Sequence, residues 1–118
     1  MTTVNLRKPC IVAPSDDNSV EKLYRGEFNN LECDYFSFSR NKLYEIFETG
    51  FFEHLNNKYG LLISDYEQEE IMDKEKLVTI LNDDIKKFKD LKHLSFWNDF
   101  AKCITTAIEK GTGIFFFF

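Results

Sequence analysis

The sequence predicts an α+β fold in which three main amphipathic helices pack on a small sheet that includes the C-terminal strand. Three observations predict it. In three separate stretches, apolar residues recur at intervals of three and four, which is the period of a helix with one buried face. Between residues 31 and 35, apolar and acidic residues alternate with the period of a strand. The chain ends in Ile-Phe-Phe-Phe-Phe, an apolar run typical of a buried strand.

The composition is that of one folded domain that spans residues 1–118. Hydrophobic residues make up 43% of the chain and charged residues 30%, a balance typical of globular proteins rather than disordered ones. A chain of this length buries roughly two-thirds of its unfolded surface, which supports one core without disulfides or a metal. The thirteen Phe residues bring large apolar area with no polar group. We therefore expect a core rich in Phe, with some rings left exposed as a binding patch.

The N-terminal elements are short. The apolar run at 10–12 lies between Pro9 and Pro14, and we expect a short edge strand there because proline is tolerated at sheet edges. The polar residues at 15–19 offer several N-caps for a brief helix. That helix would run through Val20, Leu23 and Tyr24. Residues 31–38 are expected to form a strand or an extended segment.

The first long helical stripe follows Ser39, which is a good N-cap. Its apolar residues are Leu43, Ile46, Phe47, Phe51 and Leu55. Gly50 lies on the same stripe, where it either ends one helix and starts another or lets a neighbour approach closely. Inside one helix it would cost about 1 kcal/mol relative to alanine. Gly60 is a plausible helix stop, and we expect the run 61–63 after it to be buried.

Two further stripes follow later in the chain. Asp73 is the expected N-cap of the second helix, whose stripe is Leu77, Ile80, Leu81, Ile85 and Phe88. Ser95 is expected to start the third helix, and Gly111 is a good residue to end it. The stripe of this last helix is Phe96, Phe100, Ile104 and Ile108, widened by Trp97, Ala101 and Ala107. The terminal strand after it is either covered on both faces or half available to a partner.

The charge balance limits the possible partners. The net charge is −5, so the chain repels phosphate backbones and anionic lipid heads. We expect no nucleic-acid or membrane partner, and a basic protein suits the charge better. No stretch resembles a signal peptide or a membrane span, so we expect a cytoplasmic protein. The three cysteines (Cys10, Cys33 and Cys103) are expected to be reduced thiols, with at least one in the core.

No motif points to catalysis, a cofactor or a metal ion. His54 and His93 are the only imidazoles, and neither belongs to a motif with known mechanics. The five glycines form neither a dinucleotide-binding fingerprint nor a phosphate-binding loop. We therefore expect no catalytic residue, no cofactor and no metal site. A deep pocket that holds either histidine beside a cysteine or a carboxylate would instead favour an enzyme.

The segment 65–76 is the most distinctive part of the sequence, because it holds six acids against two lysines. It is either a solvated connection whose acids favour the start of the next helix or a negative surface that meets a cationic partner. Tyr66 and Ile71 favour the second interpretation, because an aromatic ring among charges is typical of a binding hot spot. The expected partner-binding residues are Asp65, Tyr66, Glu67, Glu69, Glu70 and Asp73.

Three strings carry a resemblance to a known class of proteins: Leu-Tyr-Glu-Ile-Phe-Glu at 43–48, Gly-Leu-Leu-Ile-Ser-Asp-Tyr-Glu-Gln-Glu-Glu-Ile at 60–71, and Ala-Ile-Glu-Lys-Gly-Thr-Gly at 107–113. Over roughly 36–118 the chain resembles small immunity proteins of bacterial polymorphic-toxin and contact-dependent growth inhibition systems. In these proteins a Gly, a short apolar run and an acidic patch precede a helix, and a hydrophobic strand closes the chain.

The resemblance implies a function without catalysis. Such a protein binds the C-terminal toxin domain of its own system in the cytoplasm and covers the active site or substrate groove of that domain. Many of these toxins are nucleases with basic clefts, which an acidic protein can fill. The alternative is a non-catalytic adaptor or regulatory subunit of a cytosolic complex. The oligomeric state stays open, since an exposed terminal strand could pair across a two-fold axis.

Overall fold

The computed structural model describes residues 1–118 and has the α+β fold that the sequence predicts. The elements in chain order are β1 (Cys10–Pro14), α1 (Asp17–Tyr24), β2 (Cys33–Ser37), α2 (Arg40–Glu48), α3 (Phe51–Tyr59), β3 (Gln68–Ile71), α4 (Lys74–Thr79), a π-helical turn (Ile80–Asp84), α5 (Ile85–Phe88), α6 (Leu94–Lys110) and β4 (Ile114–Phe117). The four strands form one antiparallel sheet in the order β2-β1-β4-β3. None of the helices has the length and apolar content needed to cross a bilayer.

The strand β1 lies in the middle of the sheet, so the expectation of an edge strand is wrong. Ile11 pairs with Phe36 of β2 on one side and with Phe116 of β4 on the other. The two prolines do not interfere, because Pro9 precedes the strand and Pro14 is its last residue. The Pro9 carbonyl accepts the Phe38 N–H at 3.1 Å, and the Pro14 carbonyl accepts the Thr112 hydroxyl at 2.5 Å. Each proline therefore contributes its acceptor where the absent N–H is not needed.

The sheet is covered on both faces. Of the two alternatives for the terminal strand, the one with both faces covered is therefore confirmed. Alternate residues of β1 and β4 point to opposite faces. One face packs on the long helices and forms a core of 20 buried residues that includes Ile11, Phe116 and Trp97. The other face packs on α1 and the N-terminal segment and forms a core of eight buried residues. The members of this second core are Val4, Cys10, Val12, Val20, Leu23, Leu31, Phe115 and Phe117.

The helix boundaries follow the predicted caps closely. The Ser39 hydroxyl accepts the Lys42 N–H at 3.0 Å and begins α2. Gly50 has φ +84°, a left-handed conformation that favours glycine, and it separates α2 from α3. The first of the two alternatives for Gly50 is therefore confirmed. Helix α6 begins at Leu94, one residue before the expected start, and ends at Gly111 with φ +67°.

The run 61–63 is buried at one position only, so the expectation for it is confirmed at Ile63 and wrong for the rest, since Leu61 is half-buried. Ile63 is buried, whereas Leu62 is 71% exposed. All three cysteines are free, and Cys10 and Cys103 are buried, as expected. Burial raises the pKa of each of these two thiols to about 12.

Candidate partner-binding surface

The acidic segment occupies one edge of the sheet. It begins in the loop after α3, forms β3, and continues through the N-cap Asp73 into the first turn of α4. Strand β3 pairs with β4 alone, with Gln68 opposite Phe117 and Ile71 opposite Ile114, so its outer edge has no strand partner. Only part of the segment is therefore a connection between elements. An unpaired strand edge offers backbone donors and acceptors to another chain.

The carboxylates of two of the six predicted residues accept backbone hydrogen bonds within the fold. The Glu69 carboxylate accepts the Leu62 N–H at 2.8 Å and the Glu70 N–H at 2.9 Å, which ties the preceding loop to β3. Asp73 is the N-cap that the sequence predicts. Its carboxylate accepts the N–H groups of Glu75 at 2.9 Å and Lys76 at 3.2 Å. These bonds hold the segment in its position within the fold.

The other four predicted residues differ in exposure. Tyr66 is 79% exposed, and Glu67 and Glu70 are also exposed. Asp65 is half-buried, and its carbonyl accepts a hydrogen bond from the Arg40 guanidinium at 3.3 Å. The surface-forming members of the predicted set are thus Tyr66, Glu67 and Glu70, with Asp65 at their margin.

The fold adds Tyr24 to this surface, a residue that no sequence pattern linked to the acidic segment. Burial, together with the negative charge of the nearby Glu70, raises the pKa of the Tyr24 hydroxyl. The Tyr24 ring packs edge-to-face on Phe115, with centroids 5.5 Å apart. Glu70 pairs with Phe115 in the strand register, so it lies on the same face as this ring pair. The contact joins α1 to β3 across the sheet and could not be read from local sequence.

Two recesses lie on either side of the exposed Tyr66 loop. One, of about 320 Å³, is lined by Tyr44, Phe47, Ile63, Ser64 and Asp65. The other, of about 200 Å³, is lined by Leu6, Tyr66, Glu67, Gln68, Phe117 and Phe118. Consecutive residues of the 63–68 segment line both recesses. Each recess combines apolar walls with at least one carboxylate, which suits a side chain that is apolar along its length and cationic at its tip.

A buried polar cluster lies elsewhere, and it was not predicted from the sequence. Asp84 is fully buried at the end of the π-helical turn. Its carboxylate lies 2.7 Å from His54 Nε2 and 2.9 Å from Lys58 Nζ, and it accepts the Tyr59 hydroxyl at 2.5 Å. Burial alone would raise the pKa of Asp84, but the hydrogen bonds from Tyr59, His54 and Lys58 outweigh it and lower that pKa.

The Asp84 cluster joins two helical segments and lines no pocket. None of its four side chains borders any of the four recesses on the surface. The Ile85 N–H bonds to the Ile80 carbonyl five residues earlier, which is the π-helical pattern. A signal for the cluster was present, because Asp84 follows Ile80 by four residues and so falls on the apolar stripe. A charge on such a stripe predicts a buried partner.

His93 borders a recess of about 130 Å³. Small-molecule sites usually begin near about 300 Å³. The recess also holds the Asp99 carboxylate but no cysteine, and Lys42 Nζ lies 3.0 Å from His93 Nδ1. It is therefore not the deep pocket that would favour an enzyme. No group of three or more His, Cys, Asp or Glu side chains is placed to hold a metal ion.

Comparison with known proteins adds no relative. No protein-family model matches this chain, and no curated protein or solved structure is similar to it at a significant level. The resemblance to immunity proteins therefore stays a prediction that rests on the quoted strings.

Proposed function

We propose that this protein is a bacterial immunity protein that binds and neutralises a basic toxin domain. The contact surface would be the exposed outer edge of β3 together with the loop that precedes it. One observation carries the proposal: an unpaired strand edge bears exposed carboxylates beside a tyrosine that is 79% exposed. The resemblance of residues 36–118 to immunity proteins is the second support.

Charge explains why the partner should be basic. Glu67 and Glu70 are exposed on or beside β3, and the whole chain carries a net charge of −5. Two copies of this edge would bring like charges together, so the acids disfavour pairing of the protein with itself. A basic surface would instead be attracted. Such complementarity raises association rates toward about 10⁸ M⁻¹s⁻¹ at low salt.

Shape and apolar area would supply the slow dissociation that neutralisation requires. Tyrosine is among the residues enriched at interface hot spots, and Leu62, 71% exposed, adds apolar area from the same loop. The recesses beside Tyr66 can each accept a side chain from a partner. Lysine and arginine fit them best, because their apolar stems match the aromatic walls and their charged ends match the carboxylates of Asp65 and Glu67.

The test is co-expression of the protein with the toxin domain encoded beside it, scored by growth and by co-purification. We expect the wild-type protein to restore growth and to co-purify. The variant Glu67→Lys/Glu70→Lys should weaken binding by at least 100-fold and fail to protect. The matched control is Glu53→Lys/Glu109→Lys, which changes the net charge equally at two exposed acids on α3 and α6. This control should still protect.

Two results would overturn the proposal. Equal binding by both double variants and the wild type would remove the β3 edge from the interface. Equal loss in both would mean that overall charge, not this surface, governs the association. A third arm uses Tyr66→Ala, which leaves the charge unchanged and should raise the dissociation rate by at least 10-fold.

A further inference from the structure

The recess of about 320 Å³ is lined by α2 on one side and by the loop that precedes β3 on the other, and we call it the α2 recess. Tyr44 and Phe47 lie three residues apart on α2, so they are neighbours on one face of that helix. Ile63, Ser64 and Asp65 form the wall on the loop. The volume lies at the lower end of the range of small-molecule sites, so one large side chain can enter.

The walls of the α2 recess are held in place by contacts behind them. The Asn56 side chain accepts the Ile63 N–H at 2.8 Å and donates to the Ile63 carbonyl at 3.0 Å. The Phe47 ring packs edge-to-face on Phe52, with centroids 4.9 Å apart. Because the protein makes these contacts by itself, little further ordering is needed when a side chain enters, and this favours affinity.

Ser64 carries the one buried side-chain polar atom of the protein that has no hydrogen-bond partner, its Oγ. An unpaired buried hydroxyl costs stability, because it has lost water without gaining another partner, and it calls for an explanation. No hydrogen bond fixes this hydroxyl in one of its staggered positions. A donor that enters the recess, which Ser64 lines, can therefore draw the hydroxyl toward itself and pair with it.

The Asp65 carboxylate makes the α2 recess suited to a cation. This carboxylate forms no ion pair within the protein. Arg40 lies nearby, but its guanidinium donates to the Asp65 carbonyl at 3.3 Å rather than to the carboxylate. The charge of Arg40 opposes a second cation, so we expect a modest affinity for one isolated side chain. A neutral occupant would cover the Asp65 carboxylate without pairing it, which is unfavourable.

We propose that the α2 recess binds an arginine side chain of the partner and that Ser64 contributes to its selectivity. The stem would pack on Phe47, and the planar guanidinium would stack on the Tyr44 ring, which is 43% exposed. From there its N–H groups can donate to the Asp65 carboxylate and to Ser64 Oγ at once. A lysine ammonium is a compact, strongly hydrated charge that lacks this flat face. The assignment rests on the proposed function, because the arginine would belong to the toxin domain.

The first test is a titration of the ¹⁵N-labelled protein with Nα-acetyl-arginine methylamide, followed by NMR at fixed pH and ionic strength. The backbone amide signals of the recess residues should shift and saturate with a Kd on the order of 1 mM. The same derivative of citrulline, which has nearly the shape of arginine but no charge, should bind at least about 10-fold more weakly. The lysine derivative should also bind more weakly. Equal affinity for arginine and either analogue, or shifts confined to residues outside the recess, would overturn the assignment.

The variant Ser64→Ala gives two readouts that move in opposite directions. It should weaken binding of the arginine probe by about 10-fold, because a hydrogen bond to a charged group is lost. It should leave the melting temperature of the free protein unchanged or raise it, because an unpaired hydroxyl is removed. The matched control is Ser95→Ala, an exposed serine on α6 outside the recess, which should change neither. Unchanged probe binding in Ser64→Ala, or a lower melting temperature together with weaker binding, would overturn the role given to Ser64.

The variant Asp65→Asn tests the charge of the recess and separates this proposal from the proposed function. It should weaken binding of the arginine probe by at least about 10-fold. Probe binding without any binding of the toxin domain would remove the proposed function and keep the arginine site for another partner. Toxin binding that is equal in wild type, Ser64→Ala and Asp65→Asn would keep the proposed function and overturn the arginine site.

Discussion

Replacement of Asp84 by asparagine should destabilise the fold more than any other conservative change of a charged residue. Asp84 is fully buried and its carboxylate meets three donors within 2.9 Å. The asparagine side chain would keep one acceptor oxygen but place an NH₂ group against these donors. Removal of one member of a buried charged network costs about 3–5 kcal/mol. Lys58 is 35% exposed and can rehydrate, so we expect about 3 kcal/mol.

This loss converts to a large shift in melting temperature. A chain of 118 residues has an unfolding entropy of about 0.25 kcal/mol/K, so 3 kcal/mol corresponds to about 12 °C. The measurement is thermal unfolding followed by circular dichroism at pH 7. The matched control is Asp83→Asn, because Asp83 is the exposed neighbour in the same π-helical turn and should shift the melting temperature by less than about 2 °C. A shift below about 4 °C for Asp84→Asn would refute the role given to the cluster.

The same residue predicts a dependence on pH. The pKa of Asp84 is lowered in the fold, so its stabilising contribution is complete above the unfolded pKa of about 3.9. It is lost as the pH falls from there through the folded pKa. The difference in unfolding free energy between wild type and Asp84→Asn should therefore be constant from pH 7 to about 5 and shrink below about 4. A difference that stays unchanged down to pH 2.5 would contradict the charged state of Asp84.

Two further predictions concern packing and thiol chemistry. Gly113→Ala should destabilise the fold by about 1–3 kcal/mol, measured by urea unfolding. The reason is that an added Cβ would lie 2.6 Å from the Ile71 carbonyl oxygen and closer still to Met72 Sδ. An unchanged midpoint of urea unfolding would show that β3 can move away. All three thiols should react with a disulfide reagent at pH 8 at least about 100-fold more slowly than a free thiol, since burial is the main factor raising the pKa of Cys33 to about 11 and those of Cys10 and Cys103 to about 12. All three should react fully in denaturant. Rapid labelling of native Cys10 or Cys103 would contradict their burial, and rapid labelling of the half-buried Cys33 would contradict its raised pKa.

The helices were predictable because the information for them is local. A cap such as Ser39 and an apolar residue every three or four positions lie within one segment. The first predicted stripe lies on α2 and α3, the second runs from α4 through the π-helical turn to α5, and the third lies on α6. Strand order is not local. The central position of β1 depends on β2 and on β4, and β4 lies about a hundred residues away at the other end of the chain. A short apolar run between prolines does not contain that information.

The strand β3 shows why polar strands are hard to predict. Three of its four residues are Gln or Glu, so it has no apolar alternation. It forms because β4 is buried along its whole length, and its backbone N–H and C=O groups must find partners where water cannot reach. These backbone groups of β4 find their partners in the segment that passes beside it. The sequence thus indicated the acidity of this segment but not its conformation.

The division of roles within the candidate surface also depended on backbone geometry. Acid density alone placed Glu67, Glu69 and Asp73 in one group. In the fold, Glu69 and Asp73 accept backbone N–H groups, whereas Glu67 stays exposed. A carboxylate is assigned to one role or the other by the N–H groups that happen to face it. No spacing rule along the chain fixes that, so the sequence could name the segment but not its contacts.

The exposed aromatic residue of this edge supports the proposed partner more strongly than the charge does. The prevention of self-pairing is enough to explain acids on an edge strand, since like charges keep two such edges apart. That reason does not extend to Tyr66 and Leu62, which expose apolar area in the adjoining loop and would promote association. A surface that repels its own copy yet offers apolar anchors is selective, because only a partner of opposite charge can reach the anchors. The combination of the two features therefore argues for a basic partner more strongly than either does alone.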